Sequence, residues 1–273
     1  YKIGCEGDGR MPNAFSRSEM LIGAEALEKL KESKVAIFGV GGVGSFAVEA
    51  LARTGVGSFV LTDSDRVEES NINRQLHATR RTIGRLKVEV MKERILSINP
   101  EAKVRTQPVF YRKENRAELL QGDVDYVVDA VDTVTAKIDL VVCCGEMGIP
   151  IVSCMGAGNK MDPTRFQIGD VYATSVDPLA KVMRRELRKR GIRHLKVVYS
   201  TEPPLSLKPS LTEQDTGQAM GSGESRSGTR RRAVPGSISF VPSVAGMILG
   251  GEVIKDLIGW KDNLQGDGED RNG

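Results

Sequence analysis

Residues 34–65 read KVAIFGVGGVGSFAVEALARTGVGSFVLTDSD, and their pattern decides the fold. Val35 to Phe38 is a short apolar run, as expected of a strand buried on both faces. It runs into Gly39, Gly41, Gly42, Val43 and Gly44, after which Phe46 to Arg53 continues at helical apolar spacing. A second apolar run, Phe59 to Leu61, leads to Asp63. Strand, glycine turn, helix, strand and acid together are the signature of a nucleotide-binding βαβ unit. The glycines let the backbone turn tightly and approach phosphate oxygens, while the helix start presents unpaired N–H groups and a positive dipole end. Asp63 stands where it can accept hydrogen bonds from ribose hydroxyls. A glycine-rich turn with no ligand is the plainer alternative.

The rest of the chain is consistent with such a unit. Its 273 residues suffice for one large α/β domain with an extension. A hydrophobic content of 40% and a charged content of 27% are ordinary for a globular protein, and a net charge of +3 does not by itself mark a nucleic-acid binder. The four cysteines form no CxxC pair, so neither a disulfide framework nor a zinc knuckle is expected, and a reducing compartment fits. No apolar run reaches the ~20 residues of a membrane span. The expected location is cytoplasmic, or organellar if a targeting segment preceded Tyr1.

Upstream, residues 1–13 read as a flexible arm. The stretch FSRSEMLIGAEALEKLKES (15–33) carries Met20, Leu21, Ala24, Leu27 and Leu30 at helical spacing, with Arg17 on the polar side. Spacing alone makes Arg17 a solvated arginine. Downstream of Asp63, a polar run at a strand's carboxyl end reads as a crevice-lining loop offering Asp65, Asn71, Asn73, Arg74 and Gln75. A helix is predicted over Gly84 to Asn99, with Val88, Met91, Ile95 and Ile98 inward and Lys87 near its start. Arginine as a planar fork and lysine as a mobile point charge suit a triphosphate. Val104 to Phe110 reads as a strand, Asn115 to Leu120 as a short helix, and Tyr126 to Ala130 as a buried strand with Asp129 and Asp132 at its carboxyl end. An acid there can hold magnesium together with substrate phosphates. Equally, Asp132 can cap the helix expected from Thr133 to Met147. Cys143 and Cys144 read as buried small hydrophobes, and Cys154, ending a strand from Ile149, as structural.

Asp177 and Pro178 are the cap and first position of a helix bearing Lys181, Arg184, Arg185, Arg188, Lys189 and Arg190, with Arg193, His194 and Lys196 just beyond. Such a patch suits a phosphate backbone, although most charge runs are solvated faces. Val197 to Tyr199 reads as a strand. Residues 212–237, with Arg230 to Arg232 in a row, have too little apolar content to fold alone and read as a mobile loop. Phe240 to Trp260 reads as a helix packed on the sheet, and residues 261–273 as a disordered tail. The fold class is therefore α/β: a Rossmann-like nucleotide-binding sheet with helices on both faces and a C-terminal extension, in one domain over 14–260.

These pieces resemble the ubiquitin-activating enzyme superfamily in its ThiF/MoeB-like adenylating branch. The resemblance rests on FSRSEMLIG (15–23), GVGGVGS (39–45), TDSDRVEESNINRQ (62–75), Lys87 and VVDAVDT (127–133). GAGNKMDPTRFQIGDV (156–171) and DPLAKVMRRELRKRGI (177–192) are further similar to the tRNA threonylcarbamoyladenosine dehydratases. The resemblance implies ATP and Mg2+ as cofactors. Asp63 would bind the ribose and the Gly39–Gly44 loop, with Val43, would lie against the nucleotide. Arg74 and Lys87 would grip the phosphates, with Asp65, Asn71 and Gln75 completing that loop, and Asp132 would hold the metal. Arg17 would be a finger donated by the partner in a homodimer. The implied partner is tRNA carrying threonylcarbamoyladenosine, and a sulfur-transfer partner is admitted. The implied reaction adenylates the carboxylate of that group and closes a ring with formal loss of water.

Two departures stand out. Members of this family carry a cysteine in the loop before the last helix, where this chain has Ser237 and Ser239, and residues 200–232 fit the family pattern poorly. Three other readings compete: an adenylating enzyme acting on the C-terminus of a ubiquitin-like carrier, an NAD(P)-binding oxidoreductase, and a catalytically dead tRNA-binding module. The missing zinc-type cysteine pairs speak against the carrier, and Arg74, Lys87 and Asp132 have no task in nicotinamide chemistry.

Overall fold

The computed structural model describes residues 13–207 and 235–260. The expected arm over 1–13 (except residue 13), the tail, and most of the loop expected over 212–237 lie outside the described residues. Seven strands form one sheet: β1 (Lys34–Phe38), β2 (Ser58–Thr62), β3 (Lys103–Gln107), β4 (Tyr126–Asp129), β5 (Ile151–Cys154), β6 (Phe166–Asp170) and β7 (Lys196–Ser200). Their spatial order is β3-β2-β1-β4-β5-β7-β6. Every pairing is parallel except β6 against β7. The chain reverses its direction of travel across the sheet between β1 and β4, which opens a crevice at their carboxyl ends.

Alternation along β1 explains its continuous apolar run. Val35 and Ile37 join a core with α3 (Gly44–Arg53), α4 (Lys87–Ile98) and α8 (Phe240–Ile258). Ala36 and Phe38 face the opposite core, shared with α5 (Arg116–Leu119) and α6 (Val134–Met147). Farther along that second face, α7 (Pro178–Lys189) packs Ala180, Met183 and Leu187 against α6 and β7. The C-terminal helix α8 belongs to the first layer and lies unusually close to α3. A Cβ at Gly246 would come 2.3 Å from the Val43 carbonyl oxygen, and one at Gly250 would come 2.8 Å from Ala50 Cβ. The glycines on α8 thus set the height at which the glycine turn rests.

Several boundaries differ from the sequence reading. The first amphipathic stretch is two helices, α1 (Ser16–Ile22) and α2 (Ala24–Glu32), broken at Gly23, whose φ is 85°. Leu27 and Leu30 are buried as expected, but Met20 and Leu21 are 88% and 76% exposed. The helix expected from Gly84 begins at Lys87, because Gly84 takes a φ of 82° in the preceding turn and Leu86 is extended. Strand β6 went unread: only Phe166 in it is buried, and as an edge strand it lacks the apolar run that marked the others. Among the described residues no helix is long and apolar enough to cross a membrane.

Candidate active site

A cleft of about 960 Å3 opens over the carboxyl ends of β1, β2, β4 and β5. Of the residues singled out in the sequence, Gly39, Gly41, Gly42, Val43, Asp63, Asp65, Asn71, Arg74, Gln75, Lys87 and Asp132 all line it. Gly44 is buried just beneath, as the first residue of α3. Arg17 is not among the lining residues; it is exposed on α1. Within one chain, therefore, the fold assembles the set apart from Arg17.

The glycine turn hangs between the two strands that flank it. Gly39 adopts a φ of 86°, and a Cβ there would lie 2.6 Å from the Ala130 carbonyl oxygen after β4. Only glycine combines that backbone with that approach. Asp63 is fixed by two backbone amides: its Oδ2 accepts from Val40 N at 2.7 Å and its Oδ1 from Asp65 N at 2.8 Å. Burial pushes its carboxyl above the ordinary aspartate value, against the pull of Lys87. Lys87 is buried, and its Nζ donates to Asp65 Oδ2 at 2.8 Å. Asp65 is 64% exposed in its side chain, so an incoming phosphate can compete for that ammonium from the open side.

Arg74 is half-buried and braced by two bonds of 2.8 Å from Nη1, to Ser70 O and Asn73 Oδ1. Asn71 supports the same loop, its Oδ1 accepting from Glu68 N at 3.1 Å. Gln75 is buried, with Oε1 unpartnered among the described residues. Asp132 is exposed on the cleft rim, accepting a weak bond of 3.3 Å from Thr133 Oγ1. The residue preceding α6 is Thr133 and no side chain caps that helix, so the capping alternative for Asp132 is not what is found. Among the described residues no group of three or more His, Cys, Asp or Glu converges to hold a metal. An exposed carboxylate on the rim of a glycine turn is a donor that would suit magnesium, which takes one or two acids plus phosphate oxygens.

Around the cleft, Lys137, Lys160 and His77 were given no role in the sequence reading, and they accompany Asp129, Cys154 and Asp177, which it named. Asp129, next to the lining Ala130 but not itself in the lining, is fully buried, where Lys137 Nζ donates to both its oxygens at 3.0 Å and Ser153 Oγ donates at 2.5 Å. The signal was present: Lys137 interrupts an otherwise apolar helix face. Asp177 caps α7 through Ala180 N at 3.0 Å and also takes Gly156 N at 3.1 Å, tying the helix to the cleft wall. Lys160, within the GAGNK loop, is buried, and burial lowers its pKa. Cys154 is buried with its thiol pushed up to about 12, in keeping with a structural role. His77 is buried near Lys87, with neither ring nitrogen partnered among the described residues, and burial holds its pKa at about 4.

The cationic helix is less free than its sequence suggests. Arg184 turns inward to the Thr174 carbonyl at 2.7 Å, and Arg188 stacks 5.3 Å over the Tyr172 ring. Arg185, Lys189 and Arg190 gather on Glu186 at 3.1, 3.0 and 3.0 Å and hold its carboxyl down to about 2. Lys196 lies in β7 and pairs with Asp256 at 2.6 Å, so it is not part of the patch. The first turn of α7, through Pro178 and Leu179, lines the cleft. Ser237, in the loop before the last helix, also lines it and accepts from Asn73 Nδ2 at 3.0 Å through its carbonyl.

This geometry matches known proteins over most of its length. The profile of the ThiF family matches residues 15–268. The chain is 48% identical over 249 residues to a Bacillus subtilis tRNA threonylcarbamoyladenosine dehydratase, covering 91% of this chain and 96% of that protein. It is 40% identical over 196 residues to the Escherichia coli enzyme of the same name, covering 69% and 73%. The crystal structure of E. coli tRNA N6-threonylcarbamoyladenosine dehydratase in complex with ATP superposes with a TM-score of 0.77 at 33% identity, over 90% of this chain and 94% of that one. A crevice at the switch point, a glycine turn bonded to the acid after β2, and similarity along nine-tenths of both chains lead to one statement: this protein belongs to the ThiF family.

Proposed function

We propose that this protein is an ATP-dependent tRNA threonylcarbamoyladenosine dehydratase. The observation that carries the reading is the convergence of Arg74, Lys87 and Asp132 on the rim of a glycine turn that also presents Asp63. ATP would lie with its ribose on Asp63 and its phosphates between the turn, Arg74 and Lys87. The carboxylate of the threonylcarbamoyl group is ionised at neutral pH, so its oxygen attacks the α-phosphorus without a general base. Pyrophosphate leaves as the bond from that oxygen to phosphorus forms. Cationic side chains aimed at the developing charge supply the acceleration. Magnesium, held by Asp132 and phosphate oxygens, would neutralise the leaving pyrophosphate.

The acyl-adenylate then loses AMP as the ureido portion of the same group attacks the acyl carbon. That step is intramolecular, so proximity supplies much of its rate and no enzyme nucleophile is required. Ser237 in place of the family's cysteine is compatible with this route, which needs no thiol, and a sulfur-transfer partner is not part of the reaction. The protein would act as a homodimer in a cytoplasmic setting, each subunit lending Arg17 from its exposed α1 to the other's phosphates. The cationic surface near α7 would receive the tRNA backbone.

The direct test is incubation with ATP, magnesium and tRNA carrying threonylcarbamoyladenosine, followed by nucleoside mass spectrometry. A nucleoside lighter by ~18 Da, one water, is expected from the ring closure. Unchanged nucleoside together with NADH binding would support the oxidoreductase instead.

A further inference from the structure

Three lysines are buried around the cleft, and they differ in how their charge is answered. Lys137 is closed off by Asp129, both of whose oxygens it contacts at 3.0 Å. Lys87 is latched to Asp65 at 2.8 Å, an acid open to solvent. Lys160 is 5% exposed, yet among the described residues no carboxylate oxygen lies within ion-pair distance of its Nζ. Its ammonium makes a single hydrogen bond there, to the backbone carbonyl of Glu202 at 2.6 Å.

The acids nearest to it in charge, Asp177 and Glu202, are engaged elsewhere. Glu202 accepts from Met161 N and Asp162 N at 3.0 Å each, and Asp177 accepts from Gly156 N and Ala180 N. Both carboxylates keep their charge and act on Lys160 through space, but neither touches the ammonium, so a buried cation is left with donors to spare, and burial makes a further anionic contact favourable. Lys160 lines the same cleft as Arg74 and Lys87, beside Asn159. Asn159 holds that loop in place with a φ of 57°, its N–H donating to Gly236 O at 2.8 Å and its Oδ1 accepting from Gly236 N at 2.6 Å.

We propose that Lys160 binds the carboxylate of the acceptor, holding it against the α-phosphate of ATP before the attack. This rests on the adenylation reading above. A carboxylate approaching a triphosphate is repelled, and a desolvated ammonium on the acceptor side offsets that repulsion where solvent cannot screen it. A protonated lysine is required, and burial lowers the pH at which Lys160 gives up its proton.

The test compares binding of tRNA carrying threonylcarbamoyladenosine with binding of the same tRNA lacking the modification, in the presence of AMP. Wild type is expected to prefer the modified tRNA, and Lys160→Met to reduce that preference at least tenfold while AMP affinity holds within twofold. If Lys160→Met keeps the preference, or weakens both tRNAs alike, the carboxylate role is overturned. Wild type showing no preference would overturn this proposal, whereas the adenylation reading falls only with an unchanged nucleoside mass. Should Lys160→Met also lose AMP, the decision passes to wild type alone. Its preference must fade as pH is raised towards 10.5, the ordinary lysine value, and a preference that is flat over that range overturns the proposal.

Discussion

At the scale of single residues, the charges of Arg74, Asp132 and Asp63 each make a separate demand on the reaction. Arg74→Ala or Asp132→Ala is expected to cut AMP release at least ~100-fold, the scale for losing one group that meets developing charge. Circular dichroism should be unchanged, and wild-type release in either variant removes that residue from the reaction. The proposed ribose contact of Asp63 calls for a carboxylate, and burial raises its pKa above 3.8. AMP affinity should therefore fall on acidification earlier than an exposed aspartate would allow, and calorimetric titration of Asp63→Asn should lack that limb. For stability the sign at Asp63 is reversed. The folded carboxyl holds its proton more tightly than the unfolded one, so acid favours the folded state at this group.

His77 works the other way. Burial, with Lys87 adding to it, keeps the folded imidazole neutral down to about 4, whereas the unfolded chain takes the proton near 6.5. Its contribution is present above that window and is lost as pH falls through it, on the order of 3 kcal/mol in total. Urea unfolding of wild type at neutral and mildly acidic pH should show the loss, and His77→Leu should flatten it. An unchanged slope in that variant would place the acid sensitivity elsewhere.

At the scale of elements, the βαβ unit was legible because each part carries its own constraint. Val35 to Phe38 must be apolar on both faces, Gly39 must turn at positive φ, and Asp63 follows directly on β2. Strand β6 was not legible, since an edge strand with Gln167 and Ile168 exposed has neither continuous burial nor clean alternation. The break between α1 and α2 was also missed. Periodicity at Met20 and Leu21 reads as burial whether the face meets this chain's core or not, and here it does not. The close packing of α8 on α3 leads to a paired prediction. Gly246→Ala puts a methyl 2.3 Å from Val43 O and should destabilise by about 1–3 kcal/mol while weakening AMP binding. Gly251→Ala on the same helix meets nothing within 4 Å and should be neutral or stabilising by up to ~1 kcal/mol. Thermal melts of the two variants side by side decide whether α8 positions the turn.

At the scale of the whole molecule, strand ends far apart in sequence meet in one cleft, and this explains what could be read in advance. Asp63, Lys87 and Asp132 were recoverable because a parallel sheet delivers the loops after β1, β2 and β4 to the same side. Lys160 was not recoverable, since what distinguishes it is a contact with Glu202, 42 residues away, and the prior engagement of two acids. The cationic surface was over-read, because Arg184 turns inward and Lys196 belongs to β7. Contacts with a few phosphates still imply that tRNA affinity falls at least about tenfold when salt rises fourfold. A salt-insensitive affinity would remove the backbone contact.

The central claim is that a carboxylate oxygen of the modified nucleoside becomes bonded to the phosphorus of AMP. The most direct measurement uses tRNA whose threonylcarbamoyl carboxylate is labelled with heavy oxygen, turned over with unlabelled ATP and magnesium. The account predicts AMP carrying one heavy oxygen for each ring closed. Unlabelled AMP accompanying ring closure, or ADP in its place, would contradict it.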